Sequence, residues 1–253
     1  ATVMGGVAMG ATLVLHHRFA VRPVIRLIEE HAPTVFHAVP AMLVAMNERF
    51  RSHPPKIEGL RWVISGGASL DGEVGSEFSR HTGALVVEGY GLSEASPVTH
   101  VGNLFSSARY GTIGLPLPGT ECRIIPVEES DDDQVNQPAN NPTQGIPKRD
   151  QLESLPAGEV GELLIRGPQI MLGYWQDQAA TDQTICNGWL RTGDLAVESE
   201  DGHFTIVGRR KDLIITSGFN VYPAEVEEIL REAPGVEDAA VVGIPDPQRG
   251  EIV

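Results

Sequence analysis

Apolar positions in the first hundred residues follow two alternating rhythms. Short runs rich in β-branched or aromatic residues fall at 12–15, 34–36, 62–65 and 84–88, while residues 21–31, 40–50 and 70–80 repeat at helical spacing. Pro40 suits the first turn of its helix, where the missing N–H costs nothing. The alternation predicts an α/β fold, with a mostly parallel sheet flanked by helices on both faces and right-handed crossovers. In such a sheet the strand-to-helix loops emerge at one carboxyl edge, where ligands bind. Val39 and Pro40, the Gly66, Gly67, Ala68 turn, and Gly89, Tyr90, Gly91 are therefore expected to converge on one crevice.

After about residue 108 the texture changes. Short runs at 120–125, 160–166, 195–197 and 203–207 are divided by Gly, Pro and Asp turns, which predicts a small β-barrel-like subdomain over 108–207. From 208 a third part begins, expected to be the start of a further, small α+β domain over 208–253. There Pro223 opens a helix with Glu225, Glu227 and Glu228 near its positive end, and 239–244 reads as a strand. The α/β part accordingly takes residues 1–107.

Charge sharpens one boundary. The 253 residues carry a net charge of −15. The window 128–157 alone holds seven acidic and two basic residues, is rich in Pro, Asn and Gln, and has no periodicity. It is expected to be a disordered acidic insertion. An acidic chain excludes a nucleic-acid surface, which needs clustered Lys and Arg. Two cysteines, Cys122 and Cys186, are too few and too far apart for a disulfide scaffold or zinc site, so a reducing, cytoplasmic setting is expected. The uncharged opening, 1–15, is too short and glycine-rich to span a bilayer and lacks the basic flank of a signal peptide. A chain that opens on Ala and closes on a strand-like run is expected to be a piece of a longer polypeptide.

Three constellations could carry chemistry. In the first, Gly89, Tyr90, Gly91, Leu92, Ser93 and Glu94 follow a strand. Glycines around an aromatic let backbone approach a flat ligand, and the hydroxyl and carboxylate beyond suit a phosphate oxygen and a magnesium ion. A glycine turn with a surface Tyr and a helix-start Ser fits the same six residues. In the second, Asp201 and Gly202 form a hairpin turn signal. If the turn sits there, Asp194 faces Arg209 across the open end, an arrangement suited to ribose hydroxyls and a phosphate or to a plain cross-strand ion pair. The third, residues 214–225 around Gly218, Asn220 and Pro223, reads as a shaped loop at a domain junction. His16, His17, His37 and His100 are scattered and lack metal-ligand spacing. No His–Asp pair stands near Ser65 or Ser93, so a hydrolase triad has little support.

Three ordered segments resemble the adenylate-forming acyl-CoA synthetases, and most of all their bacterial long-chain-fatty-acid–CoA ligases. They are ISGGASL from Ile64 with EGYGLSEASPVTH from Glu88, GWLRTGDLA from Gly188, and GRRKDLIITSGFNVYPAEVEEIL from Gly208. The stretches GLPLPG from Gly114 and GELLIRGP from Gly161 belong to the same pattern. The resemblance implies ATP-dependent activation of a fatty acid to acyl-AMP and transfer to coenzyme A, with Mg2+ as the metal. It implies that Gly66, Gly67 and Ala68 line the adenine pocket, with Glu88, Gly89 and Gly91 at its edge and Tyr90 on the base. Ser93 would touch the α-phosphate and Glu94 would hold magnesium. Asp194 would take the ribose hydroxyls beside Arg209, Lys211 would be the pivot of a mobile domain, and Gly218 would line the coenzyme A channel. Val39 and Pro40 would border the acyl group. A lipid substrate would allow peripheral contact with the inner face of a membrane.

Two departures stand out. The family's Ser/Thr/Gly-rich phosphate loop with its lysine is absent, and so is the late lysine that drives adenylation. Only Lys56, Lys148 and Lys211 occur. This chain alone is therefore expected to be inactive or nearly so. Alternatives that stay open are a ligase for an aryl or medium-chain acid, one that loads an acyl carrier protein, and a non-catalytic nucleotide-binding module.

Overall fold

The computed structural model describes residues 2–127, 154–246 and 248–253. It divides into two compact units, Ala1–Thr120 with Pro168–Met171, and Glu121–Gly167 with Leu172–Val253. The window 128–157 lies outside the described residues except at its end. There the Ile124 N–H donates to Ser154 Oγ at 3.2 Å and the Leu155 N–H to Ile124 O at 2.7 Å.

The first unit holds helices α1 (Thr2–Ala8), α2 (Val21–His31), α3 (Pro40–Ser52) and α4 (Gly72–Thr82). Its sheet runs in the order β1 (Val35–Ala38), β2 (Trp62–Gly66), β3 (Leu85–Gly91), β4 (Val98–Val101), β5 (Leu115–Pro116). The first three strands are parallel; β4 and β5 are antiparallel. Pro40 opens α3 as expected. Asp71 caps α4 by accepting the Glu73 N–H at 2.6 Å, and Gly83 ends it in the left-handed region at φ 73°.

The expected strand at 12–15 does not form. The three apolar residues there, Leu13, Val14 and Leu15, pair with no strand among the described residues, whereas the preceding Thr2–Ala8 winds into α1. Among the described residues, helices α2, α3 and α4 pack together against one face of the sheet. Phe36, Val63 and Val86, in register, face Val24 and Ile28 of α2, Leu43, Met46 and Phe50 of α3, and Phe78 of α4. The strand order 1-2-3 never reverses, so right-handed crossovers deposit both α3 and α4 on the same side. Across the opposite face runs the 102–105 segment, where the Trp62 Nε1–H donates to Leu104 O at 2.9 Å and Trp62 meets Phe105 edge-on.

The second unit is an open antiparallel sheet in the order β10 (Phe204–Arg209), β9 (Trp189–Glu198), β7 (Val160–Arg166), β6 (Glu121–Ile125), with β8 (Ile185–Cys186) pairing β9. Helix α5 (Gln178–Thr184) precedes β8. A four-stranded sheet follows, in the order β12 (Phe219–Val221), β11 (Ile214–Thr216), β14 (Gly250–Ile252), β13 (Ile244–Asp246), with α6 (Pro223–Arg231) after β12. The strand expected at 239–244 begins only at Ile244. Pairing with β14 selects that register, and the more apolar residues before it have no strand to join.

Candidate active site

In the first unit, three chain segments meet at the carboxyl edge of the parallel strands. Gly66 pairs with Gly89 in register, and a Cβ on Gly66 would lie 3.1 Å from Gly89 O. Gly67 turns at φ 86°, and a Cβ there would touch the Val39 side chain at 3.8 Å. Val39, Gly67 and Ala68 are exposed, while Pro40, Gly66, Gly89 and Tyr90 are half-buried. The convergence expected from sequence holds for these residues.

Its local form differs from the expectation in one respect. Gly89, Tyr90 and Gly91 are not a strand-to-helix loop: they extend β3, which turns back through an irregular pairing into β4. A Cβ on Gly91 would overlap the Pro97 carbonyl oxygen, so this glycine is demanded by the hairpin. The Leu92 N–H donates to Pro97 O at 2.9 Å and closes the turn. Ser93, Glu94 and Ala95 form a short 3₁₀ helix on it, Ala95 buried, Ser93 exposed and Glu94 half-buried. The Met171 N–H holds that helix from the far side by donating to Glu94 O at 2.7 Å.

Two buried groups brace this edge. Glu88 turns its carboxylate into the core, where Oε2 accepts the Leu70 N–H at 3.1 Å and so pins the end of the glycine turn that starts at Gly66. Burial raises its pKa; backbone N–H groups of Leu70 and Gly111 pull the other way. Behind Tyr90, His100 is fully buried and meets the tyrosine ring edge-on at 5.7 Å, with Thr99 Oγ1 2.9 Å from its Nδ1. Burial pushes the imidazole down from 6.5 to about 4. Neither brace shows in residue spacing, because both are made by side chains of neighbouring strands turned inward.

The buried histidine has a pH consequence. Unfolded, the ring takes a proton near 6.5; folded, it resists until about 4. The unfolded chain therefore binds more protons in that window, and stability falls as pH drops through it, by about 3 kcal/mol. Glu88 has the opposite sign: its contribution is greatest at low pH and is lost as pH rises through its elevated pKa. Urea unfolding of wild type and His100→Asn between pH 7 and pH 4.5 isolates the histidine. The variant is expected to show a slope flatter by about one proton; parallel slopes would refute the assignment.

In the second unit, Arg209 and Asp194 are paired residues of β10 and β9, with Arg209 Nε 3.3 Å from Asp194 Oδ1. Asp194 is buried and Arg209 exposed. The pair is the expected one, although the turn is not. The loop is Glu200, Asp201 and Gly202, closed by the Ser199 N–H donating to His203 O at 2.8 Å, with Gly202 at φ 78°. That three-residue loop offsets the register by one, and a bulge between Ile206 and Gly208 restores it. Asp194 is held within β9 by Thr192, whose Oγ1 accepts the Asp194 N–H at 3.1 Å and donates to Leu163 O at 2.8 Å. Lys211 is exposed in the 3₁₀ turn Arg210–Asp212. Gly218 is not part of an open junction loop: with Ser217 it makes the two-residue tip of the β11–β12 hairpin, both at positive φ.

Burial first, then the charges of Glu198 and Glu121, lift the Cys122 thiol to about 12, which leaves it inert. His37 stands exposed on β1. Among the described residues, no three His, Cys, Asp or Glu side chains cluster as a metal would need. None of the described helices is long and apolar enough to cross a membrane.

Most of the chain matches known sequence families. The sequence profile of the AMP-binding enzyme family covers residues 1–175, and that of the AMP-binding enzyme C-terminal domain covers 225–253. The chain belongs to the AMP-binding enzyme family. It is 34% identical over 247 residues to the long-chain-fatty-acid–CoA ligase of Bacillus subtilis (strain 168), covering 98% of this chain and 40% of that protein. Feruloyl-CoA synthase of an Amycolatopsis species is also 34% identical, over 244 residues, 96% of this chain and 45% of the relative. Among solved structures, ATP-bound MatB from Rhodopseudomonas palustris superposes with a TM-score of 0.82 at 28% identity, covering 99% of this chain and 45% of MatB. The chain thus spans about two fifths of the length of the curated ligases it matches.

Proposed function

We propose that the polypeptide carrying this chain is an AMP-forming acid–thiol ligase whose acid is a long-chain fatty acid. The carrying observation is the approach of three chain segments at the carboxyl edge of β1, β2 and β3, where Gly66 pairs with Gly89 and Gly67 lies against Val39, with Tyr90 in the same strand as Gly89 and Ser93 and Glu94 on the short 3₁₀ helix that follows. The fatty-acid choice draws on the ligases that the chain matches over nearly its whole length. Feruloyl-CoA synthase, matched equally well, supports a second reading in which the acid is aromatic.

In this reading Gly66, Gly67 and Ala68 give the adenine a flat wall free of side-chain bulk, and Tyr90 stacks on its face. Glu88 acts from behind, by fixing the wall through Leu70. Asp194 accepts from the ribose hydroxyls and Arg209 steadies it. Ser93 donates to an α-phosphate oxygen. A carboxylate on a short, well-anchored turn fits Mg2+, which takes few protein ligands and the rest from phosphate oxygens, so Glu94 would hold it. When bound, the ion supplies charge neutralisation on the phosphates. An acid carboxylate oxygen then bonds to the α-phosphorus as pyrophosphate leaves. The thiol sulfur of coenzyme A next attacks the acyl carbon, and AMP leaves with its oxygen. Val39 and Pro40 border the acyl group, Gly218 keeps the thiol's channel open, and Lys211 is the pivot between the two half-reactions.

ATP-dependent consumption of coenzyme A across fatty acids of graded length, with ferulate as a parallel arm, tests the substrate. A preference for ferulate overturns the fatty-acid choice, and no consumption with any acid overturns the ligase reading. Two substitutions test the roles. Asp194→Ala is expected to weaken ATP binding about tenfold by calorimetry, the loss of roughly one charge-assisted hydrogen bond. Lys211→Pro should slow thioester formation while ATP–pyrophosphate exchange is retained. Equal loss in both half-reactions would place the pivot elsewhere.

A further inference from the structure

Near the start of β7 a carboxylate, Glu162, is buried with 3% of its surface exposed. Arg191 of β9 grips it with two hydrogen bonds, Nε to Oε1 at 3.2 Å and Nη2 to Oε2 at 2.7 Å. A second guanidinium, that of Arg210, brings Nη1 to 3.6 Å from the same Oε2. Two arginines thus share one buried acid, and each repels the other wherever that acid is missing. Their side chains are 16% and 24% exposed, so salt and water screen this cluster far less than a surface pair.

The position of Arg210 gives the cluster a use. It opens the 3₁₀ turn Arg210–Asp212, next to exposed Lys211 and Asp212. Its carbonyl accepts the Leu213 N–H at 3.2 Å, which leads directly into β11. One residue before the turn, Arg209 holds Asp194 through a more exposed pair. The chain is therefore fastened to the sheet up to Arg210 and runs through exposed residues immediately after it.

We propose that Glu162 and Arg191 form a fixed socket for Arg210, a positioning residue that clamps the chain just before Lys211, so that rotation of the downstream residues starts at Lys211. The proposal rests on the pivot reading of Lys211 given above. A firm stop on one side of a pivot converts diffuse bending into a hinge, since only the torsions beyond the clamp are free to change.

Arg210→Met tests the socket, because it keeps the aliphatic stem and leaves the Glu162–Arg191 pair whole. Glu162→Ala would instead leave two arginines without their acid and risk unfolding. In this chain, hydrogen exchange at residues 210–213 is expected to quicken about fivefold to tenfold in Arg210→Met while Leu164 and Ile165 of β7 keep their protection; Arg210→Lys should recover part of the difference. Unchanged exchange at 210–213 overturns the socket. In the polypeptide that performs both half-reactions, Arg210→Met should lower thioester formation about threefold to tenfold and leave pyrophosphate exchange within about twofold. Equal loss in both, or none, overturns the positioning role. A wild-type polypeptide without either half-reaction refutes the ligase reading instead, and hydrogen exchange then decides the socket alone.

Discussion

In the polypeptide that carries this chain, with Glu94 holding the metal as proposed above, replacing Glu94 by Ala is expected to cut ATP–pyrophosphate exchange by about 100- to 1000-fold, the cost of losing one group that stabilises charge in the transition state. AMP affinity should stay within about threefold, because AMP lacks the terminal phosphates that share the ion. The substitution leaves the local backbone standing: Ala95 remains buried beneath the 3₁₀ helix and the Met171 N–H still has the carbonyl at 94 to donate to. Exchange kinetics with calorimetry on AMP separates the outcomes. If AMP binding falls in step with the rate, the carboxylate serves the adenosine and not the metal.

Gly91→Ala is expected to destabilise the first unit by more than about 3 kcal/mol, lowering the melting temperature by roughly 6–12 °C. The added methyl group would collide with the Pro97 carbonyl, which cannot retreat without breaking the Leu92–Pro97 hydrogen bond and the β3–β4 pairing. Gly83→Ala supplies the control. It sits at φ 73° with open space around it and should cost only about 1 kcal/mol, the penalty of a left-handed alanine. Comparable melting temperatures for the two variants would show that the hairpin relaxes around the methyl group.

That contrast shows how glycines deceive a sequence reading. Gly66, Gly67, Gly89 and Gly91 look alike in a string of letters. The first three frame an edge at which chain segments approach; the fourth is required by sterics within a hairpin. Helices α2, α3 and α4 are legible because their apolar spacing is local, and Pro40 marks where one of them starts; the Asp71 cap of α4 shows only in the structure. The strand at 12–15 was misread because a strand exists only by virtue of a partner, and none lies beside it. A two-residue turn at Asp201 and Gly202 would pair Asp194 with Arg209; the longer loop and its compensating bulge lead to the same register. The buried braces were not legible at all. His100 behind Tyr90, Glu88 under Leu70, and Arg210 on Glu162 join residues far apart in sequence, and their meaning comes from the side to which each strand turns them.

By itself the sequence determined the α/β rhythm, the order of the glycine, Trp-Leu-Arg-Thr-Gly-Asp and Gly-Arg-Arg-Lys-Asp segments, and the family to which they point. Those are properties of neighbours along the chain, set by side-chain period and turn chemistry. Only the tertiary structure decided that the helices share one face, that the Tyr90 motif is strand and not loop, and that a buried glutamate gathers two arginines beside Lys211. Such features depend on register and burial, which are fixed when distant segments exclude water from one another, and no local pattern encodes them.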